Sequence, residues 1–397
     1  MADYPFTGGS PMDPPPRLAE LRASEPVSRV MLASGPAWLL TRHADIREAI
    51  AEPALAGFVP GIVEGSDDER EQAAQAGFLM MMDGPAHQRL RRPLAGAMSA
   101  RRIADLRPRI ESRARELVDG LAVAGGGEVV RALAAPLAID AIGALIGVDV
   151  TARPDFAQWS DDSAAMFGGS DPQAMAESGA TLFAFIGELV VGERDSDGLV
   201  GDLFRLVPDD GLALTDAEVT GLVGQLLMAG YLPTAMVTGL GVHRVLRDPE
   251  LVASLRADPD SLPGLVDELL RLDPGAAGTV DRLVRARGEV ELGGHTFADG
   301  DVLVLPLGAA NRDPDVFADP DRIDPSRRPN PHVSFFPGPH HCVGAALART
   351  VLGAMLGALV EHPAVALGGE PTWITGLLGE TQMAALPIHV GAPAAAR

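Results

Sequence analysis

One residue dominates any search of this chain for chemistry. Cys342 is the sole cysteine among 397 residues. It stands in Phe335-Phe336-Pro337-Gly338-Pro339-His340-His341-Cys342-Val343-Gly344, and a helical pattern begins just after it. A cysteine at a helix N-terminus has its thiolate stabilised by free backbone N–H groups and the helix dipole. The Gly and Pro residues ahead of it make a tight loop, and Gly344 lets a flat ligand approach the backbone closely. An isolated cysteine more often packs as a small buried hydrophobe; the surrounding loop turns the reading towards ligation. A single thiol excludes an intrachain disulfide and any multi-cysteine metal site.

Two further pairs have helical spacing. Glu268 and Arg271, in Glu268-Leu269-Leu270-Arg271, lie three apart on one face. Taken alone they read as a solvated pair worth a few tenths of a kcal/mol. His87 and Arg91 follow Asp83-Gly84-Pro85 at i, i+4 spacing, with Pro85 near a helix start. Two donors converging there suit a ligand that carries carboxylates, although an exposed basic helix would look the same.

The elements that must hold these residues are mostly helical. Apolar residues recur at three-to-four spacing over 102–121, 175–191, 262–272 and 344–360. Strand-like runs are short: 38–41, a hairpin 289–297 turning at Gly293-Gly294, and 302–306. Irregular stretches fall at 55–83, 168–173 and 311–338, and a loop as long as the last is usually functional. The expected fold is mainly α with a small β portion, in one domain over residues 1–397.

Composition narrows the function. The net charge is −22 and every basic residue is Arg. Such a chain is a poor nucleic-acid binder, which needs clustered positive charge, and a poor match for an anionic membrane. Hydrophobic residues make up 47%, enough for a sizeable core. Residues 1–16 lack the basic and apolar regions of a signal peptide. Residues 219–242 carry no formal charge, long enough to span a bilayer. They also hold Gln225, Pro233, three Thr and several Gly, with no basic cluster flanking one end. A long helix through the centre of a cytoplasmic protein is the preferred reading.

Together these residues resemble a cytochrome P-450, the thiolate-ligated haem oxygenase family, in order along most of the chain. Phe335 to Gly344 fits F-x-x-G-x-H-x-C-x-G, a highly specific motif. Asp83 to Arg91 is similar to the helix that grips the haem propionates, Ala229-Gly230 to the kinked centre of the distal helix, and Glu268 to Arg271 to the buried E-x-x-R. Asn311-Arg312-Asp313-Pro314 matches the start of the meander before the haem loop. The resemblance implies the cytochrome P-450 fold, with haem b between a long distal helix and a Cys-bearing loop. Cys342 would be the axial iron ligand, its thiolate favouring O–O cleavage. His87, Arg91, Arg282 and His340 would bind propionates, with Phe335 and Gly344 part of the cofactor loop. Glu268 and Arg271 would be structural.

Two departures from the family stand out. The distal helix reads Ala229-Gly230-Tyr231-Leu232-Pro233-Thr234, where the family usually has an acid and an alcohol at the Leu232 and Pro233 positions. That alcohol helps deliver protons during oxygen activation. Pro233 cannot, yet it leaves the Ala229 carbonyl without its partner and should keep the helix kinked. Phe336 stands where the family commonly has Gly. The pocket is outlined only by resemblance: Leu232, Ala276, Ala277, Gly278, Thr279 and Leu377, with parts of 78–82 and 166–167. The leading expectation is a ferredoxin-dependent monooxygenase acting on a bulky apolar biosynthetic metabolite, as in antibiotic biosynthesis. Its partners would be dioxygen, a ferredoxin and ferredoxin reductase, with NAD(P)H behind them. The alternatives are a peroxide-using or rearranging haem enzyme, or a non-catalytic scaffold.

Overall fold

The computed structural model describes residues 1–8, 10–57, 77, 79, 82–148, 172–208, 211–274, 282–375 and 381–391. The helices are α1 (Pro16–Ser24), α2 (His43–Ala51), α3 (Gly84–Ala97), α4 (Ala100–Ala124), α5 (Ala135–Ile146), α6 (Pro172–Gly192), α7 (Leu199–Arg205), α8 (Asp216–Leu246), α9 (Pro249–Ala257), α10 (Leu262–Leu272), α11 (Leu307–Ala310) and α12 (Ala345–Glu361). The strands are β1 (Ala2–Asp3), β2 (Val27–Leu32), β3 (Gly35–Leu40), β4 (Leu55–Gly57), β5 (Gly127–Glu128), β6 (Arg282–Ala286), β7 (Val290–Leu292), β8 (His295–Phe297), β9 (Val302–Leu305), β10 (Val365–Leu367), β11 (Thr372–Thr375), β12 (Thr381–Ala385) and β13 (Pro387–Val390). Among the described residues the largest sheet has six strands in the order β1-β2-β3-β9-β6-β4.

The central element is α8, 31 residues long. Thr215 caps it by accepting from the Glu218 N–H, and the Glu218 carboxylate returns the bond to the Thr215 N–H, satisfying two free helix-end donors. Its apolar run meets the length and composition of a membrane span, but 72% of that window is buried inside the protein. Neighbours reach it closely where glycines remove side chains. A Cβ on Gly230 would lie 2.9 Å from Ile142 of α5, and one on Gly241 would lie 2.9 Å from Leu352 of α12. α12 packs in turn against α4. The hairpin of β7 and β8 turns at Gly293 and Gly294, whose φ of 58° and 76° few other residues adopt.

The irregular stretch 311–338 acquires its shape from α10. Glu268 and Arg271 are fully buried rather than solvated. Arg271 donates to both carboxylate oxygens of Glu268, and to the carbonyls of Asn311, Pro320 and Arg322. Glu268 also accepts from Arg327, Asn330 and the Asp324 N–H. Lysine offers one point of donation in place of this fork. Arg271→Lys should lower stability by about 3 kcal/mol, the scale for breaking a buried pair. Urea unfolding of the purified variant measures it.

Candidate functional site

The loop before α12 presents Cys342 at the helix N-terminus, with Gly344 as the capping residue. The Cys342 N–H donates to the Phe335 carbonyl at 2.9 Å, and the Phe336 N–H to the Val333 carbonyl at 2.8 Å, so the loop closes on itself. Cys342 is exposed, yet burial pushes its thiol up, while the Gly344 N–H and the charges of Arg91 and Arg349 pull the other way. Phe336 has a φ of +52°. That left-handed backbone is strained for a bulky residue and ordinary for glycine, and the Phe336 side chain packs on the cluster that contains Val333 and Ile50.

α3 lies against this loop. Arg91 donates to the His341 carbonyl. His87, 3% exposed, packs against His340 with ring centroids 4.3 Å apart and the rings tilted by 36°. Burial, helped by the His340 and Arg91 charges, brings His87 down to about 4, so it is neutral at pH 7. Asp83 accepts from His340 Nε2 at 3.0 Å and from Arg287 at 3.1 Å. Burial works to raise Asp83, but these partners outweigh it and hold its carboxyl below the usual range. Arg282 lies at the start of β6, paired with Leu305 of β9, and its side chain lies outside the described residues.

On α8 burial breaks in the middle. Val219, Leu222, Val223, Leu226 and Leu227 are buried, as is the stretch from Ala235 to His243. Between them Ala229 is exposed, and Gly230, Leu232, Pro233 and Thr234 are half-buried. The helix is unbroken through Pro233. The expected kink is therefore no interruption of the helix; what Pro233 removes is the N–H that would meet the Ala229 carbonyl. The Thr234 carbonyl is taken by the Thr238 hydroxyl at 2.7 Å. Ala276, Ala277, Gly278, Thr279 and Leu377 lie outside the described residues, as do 78, 80–81 and 166–167; Leu79 and Met82 are buried.

Some residues gain a place that sequence reasoning did not give them. Asp83 stands just before α3, makes no side-chain cap bond, and ties the start of that helix to His340 and Arg287. Arg349 stands 4.5 Å over the Phe335 ring and donates to Asp267 at 2.7 Å. Burial would raise Asp267, but its bonds to His332 and Arg349 hold it down at about 2. A lone Arg in the otherwise apolar α12 was the available signal.

The donor set suits a haem. An exposed thiol stands at a helix N-terminus, and histidine and arginine donors gather beside it at an edge able to take carboxylates. The middle of α8 leaves an apolar stretch, Ala229, Leu232 and Pro233, incompletely buried. The family described as cytochrome P450 matches residues 202–368. Cytochrome P450 107B1 of Saccharopolyspora erythraea is 36% identical over 368 residues, 89% of each chain. The mycinamicin IV hydroxylase/epoxidase of Micromonospora griseorubida is 36% identical over 386 residues, 94% of this chain and 95% of that one. Among solved structures, the LnmA cytochrome P450 hydroxylase from the leinamycin pathway of Streptomyces atroolivaceus S-140 superimposes with a TM-score of 0.87 at 32% identity, covering 98% and 100% of the two chains.

Proposed function

The chain belongs to the cytochrome P450 family, haem-dependent monooxygenases, and from that premise we propose that it oxidises a bulky apolar biosynthetic metabolite by hydroxylation, epoxidation or oxidative bond formation. One observation carries the reading. Cys342 is exposed at the start of α12, Ala229 is exposed at the middle of α8, and these two helices pack together. The macrolide named for the mycinamicin relative supports the substrate class. Residues 1–397 would form one haem domain, working in the cytoplasm.

Bound haem b supplies the iron at which dioxygen is activated. Cys342 Sγ would hold that iron; burial raises its thiol, while the Gly344 N–H and the charges of Arg91 and Arg349 work towards the thiolate. His87, Arg91, Arg282 and His340 would hold the propionates. The neutral His87 would act as a hydrogen-bond donor, while Asp83 orients His340. Glu268 and Arg271 keep the Cys342 loop in place without touching the reaction. The apolar face at Leu232 and Pro233 carries no side-chain donor. Protons would then come from water held at the Ala229 carbonyl or from a hydroxyl of the substrate. The same face favours a second reading, an enzyme that takes peroxide directly. Turnover with peroxide and none with ferredoxin would select it.

Electrons would come from a ferredoxin and its reductase, ultimately from NAD(P)H. The basic run from Arg89 to Arg115 offers the docking face, but not all of it is available. Arg102 pairs with Asp202, Arg89 with Glu218 and Arg113 with Asp140. Arg101, Arg109 and Arg115 are exposed and make no ion pair among the described residues. They lie on α4, which packs on the Cys342 helix.

Three outcomes test this account. The reduced, carbon-monoxide-bound protein should show the red-shifted band of thiolate haem, and Cys342→Ser should abolish it; a band that survives removes Cys342 as ligand. Electron transfer from ferredoxin should slow as salt rises, and Arg101→Glu with Arg109→Glu should slow it about tenfold at low salt. Rates indifferent to both changes would place docking elsewhere. Substrate analogues lacking a hydroxyl should bind yet release peroxide, and Leu232→Glu with Pro233→Thr should raise product formed per electron on them. Tight coupling of the wild type on every analogue would refute the proton source.

A further inference from the structure

Among the described residues only Asp319 and Phe336 take a positive φ without being glycine. A bulky residue in that region is strained, and such strain persists only where surrounding contacts over-determine the backbone. At Phe336 two sets of contacts do so. The peptide between Phe335 and Phe336 is fixed at both polar atoms. Its carbonyl accepts from the Cys342 N–H at 2.9 Å, and its N–H donates to the Val333 carbonyl at 2.8 Å. The two rings then grip that peptide from different sides. Phe335 packs on the large helical cluster, whereas Phe336, half-buried, packs on the cluster that joins Ile46 and Ile50 of α2 to Leu303 and Leu305 of β9.

α2 meets the same chain segment at further points. At its N-terminal end the His43 N–H donates to Asp313 at 2.9 Å, and His43 Nε2 lies 2.9 Å from the Pro331 carbonyl. At its C-terminal end the loop comes so close that a Cβ on Gly338 would stand 3.2 Å from the Ile50 carbonyl. α2 thus lies along the segment leading to Cys342 as a splint, and the Phe336 ring fastens the loop to it.

We infer that Phe336 is a positioning residue for Cys342: its ring fixes the peptide that accepts the Cys342 N–H, and so keeps the thiol on the iron. The inference rests on the reading above that Cys342 holds haem iron. Without the ring, the strained backbone is free to relax. Relaxation turns the Phe335 carbonyl away from the Cys342 N–H and opens the loop at its closing bond. The φ of +52° favours that release, so loss of the ring is felt at the thiol before it is felt by the fold.

The test uses haem-loaded wild type, Phe336→Ala and Phe336→Leu. Alanine keeps a Cβ, and with it the backbone strain, but removes the ring; leucine keeps the strain and restores most of the apolar contact. Each protein is reduced, bound with carbon monoxide and held at one temperature below melting. The red-shifted thiolate band and the far-ultraviolet circular dichroism are followed together. Phe336→Ala should lose the band about tenfold faster than wild type, the scale set by burial of part of one aromatic ring, with its helix signal retained. Phe336→Leu should stay within about twofold of wild type. Equal rates in wild type and Phe336→Ala, or Phe336→Leu as fast as Phe336→Ala, overturn the inference and leave Cys342 as ligand. A Phe336→Ala protein that fails to fold, or loses band and helix signal together, shows that the ring serves the whole fold and also overturns it. A freshly reduced wild type without the band overturns the inference together with the reading it rests on.

Discussion

The position of the thiol depends on a buried ion pair it never touches. Glu268 and Arg271 are both fully buried, and removing two charges from water is costly unless their hydrogen-bonding capacity is met. Here it is met almost entirely by the irregular segment 311–338. Three carbonyls from that segment take Arg271, and Asp324, Arg327 and Asn330 turn donors towards Glu268. The pair needs the segment to be satisfied, and the segment has no other regular means of satisfying its own backbone. Asn311 then extends the arrangement. Its side chain donates to the Arg271 carbonyl and accepts from the Val333 N–H, and Val333 accepts from Phe336 at the start of the Cys342 loop. The reach from α10 to Cys342 is thus a chain of hydrogen bonds, flanked by the apolar cluster that holds Val333 and Phe336.

The distal side obeys a different constraint. α8 must be buried for most of its length yet open at its centre. Close approach at Gly230 and Gly241 brings α5 and α12 against it, so the fold gains burial on the back of the helix and can leave Ala229 exposed on the front. Gly230 therefore has a packing reason to be glycine that is independent of any chemistry at the neighbouring residue. The helix continues past Pro233, which leaves only the Ala229 carbonyl without its N–H.

Much of this was legible in the sequence because it rests on local pattern. The span of α10 agrees with its apolar periodicity, α12 lies one residue on from its run, α4 and α6 extend theirs by one to three residues at each end, and α8 reaches three to four residues beyond the uncharged stretch 219–242. The β7–β8 hairpin follows from Gly293-Gly294. What periodicity could not give is non-local. Strand β2 pairs with β3, β3 runs parallel to β9, and β6 joins β9 to β4 across more than two hundred residues. Short strands of this kind carry little alternation of their own. Glu268 and Arg271 have the spacing of a solvated pair, and only the distant carbonyls of 311–338 show why they are buried. The role of Asp83 is non-local for the same reason: His340 and Arg287, both more than two hundred residues away, claim its oxygens.

The charge of the chain also takes a different meaning in three dimensions. A net −22 describes the protein at long range, but arginine placement decides what happens close to the cleft. Because every basic residue is Arg, each can fork onto several acceptors at once. The chain uses this to join elements: Arg113 links α4 to α5, Arg102 links α4 to α7, and Arg244 ties α8 to Asp273 after α10. Arginines so engaged have little charge to offer a partner, since a carboxylate already faces each of them. An acidic redox partner would be repelled by most of this surface. On α4, among the described residues, it would meet arginine without a facing carboxylate at Arg101, Arg109 and Arg115. Those three stand on the helix packed against α12, the helix that follows Cys342, so the least repulsive approach would lead to the elements that carry the thiol.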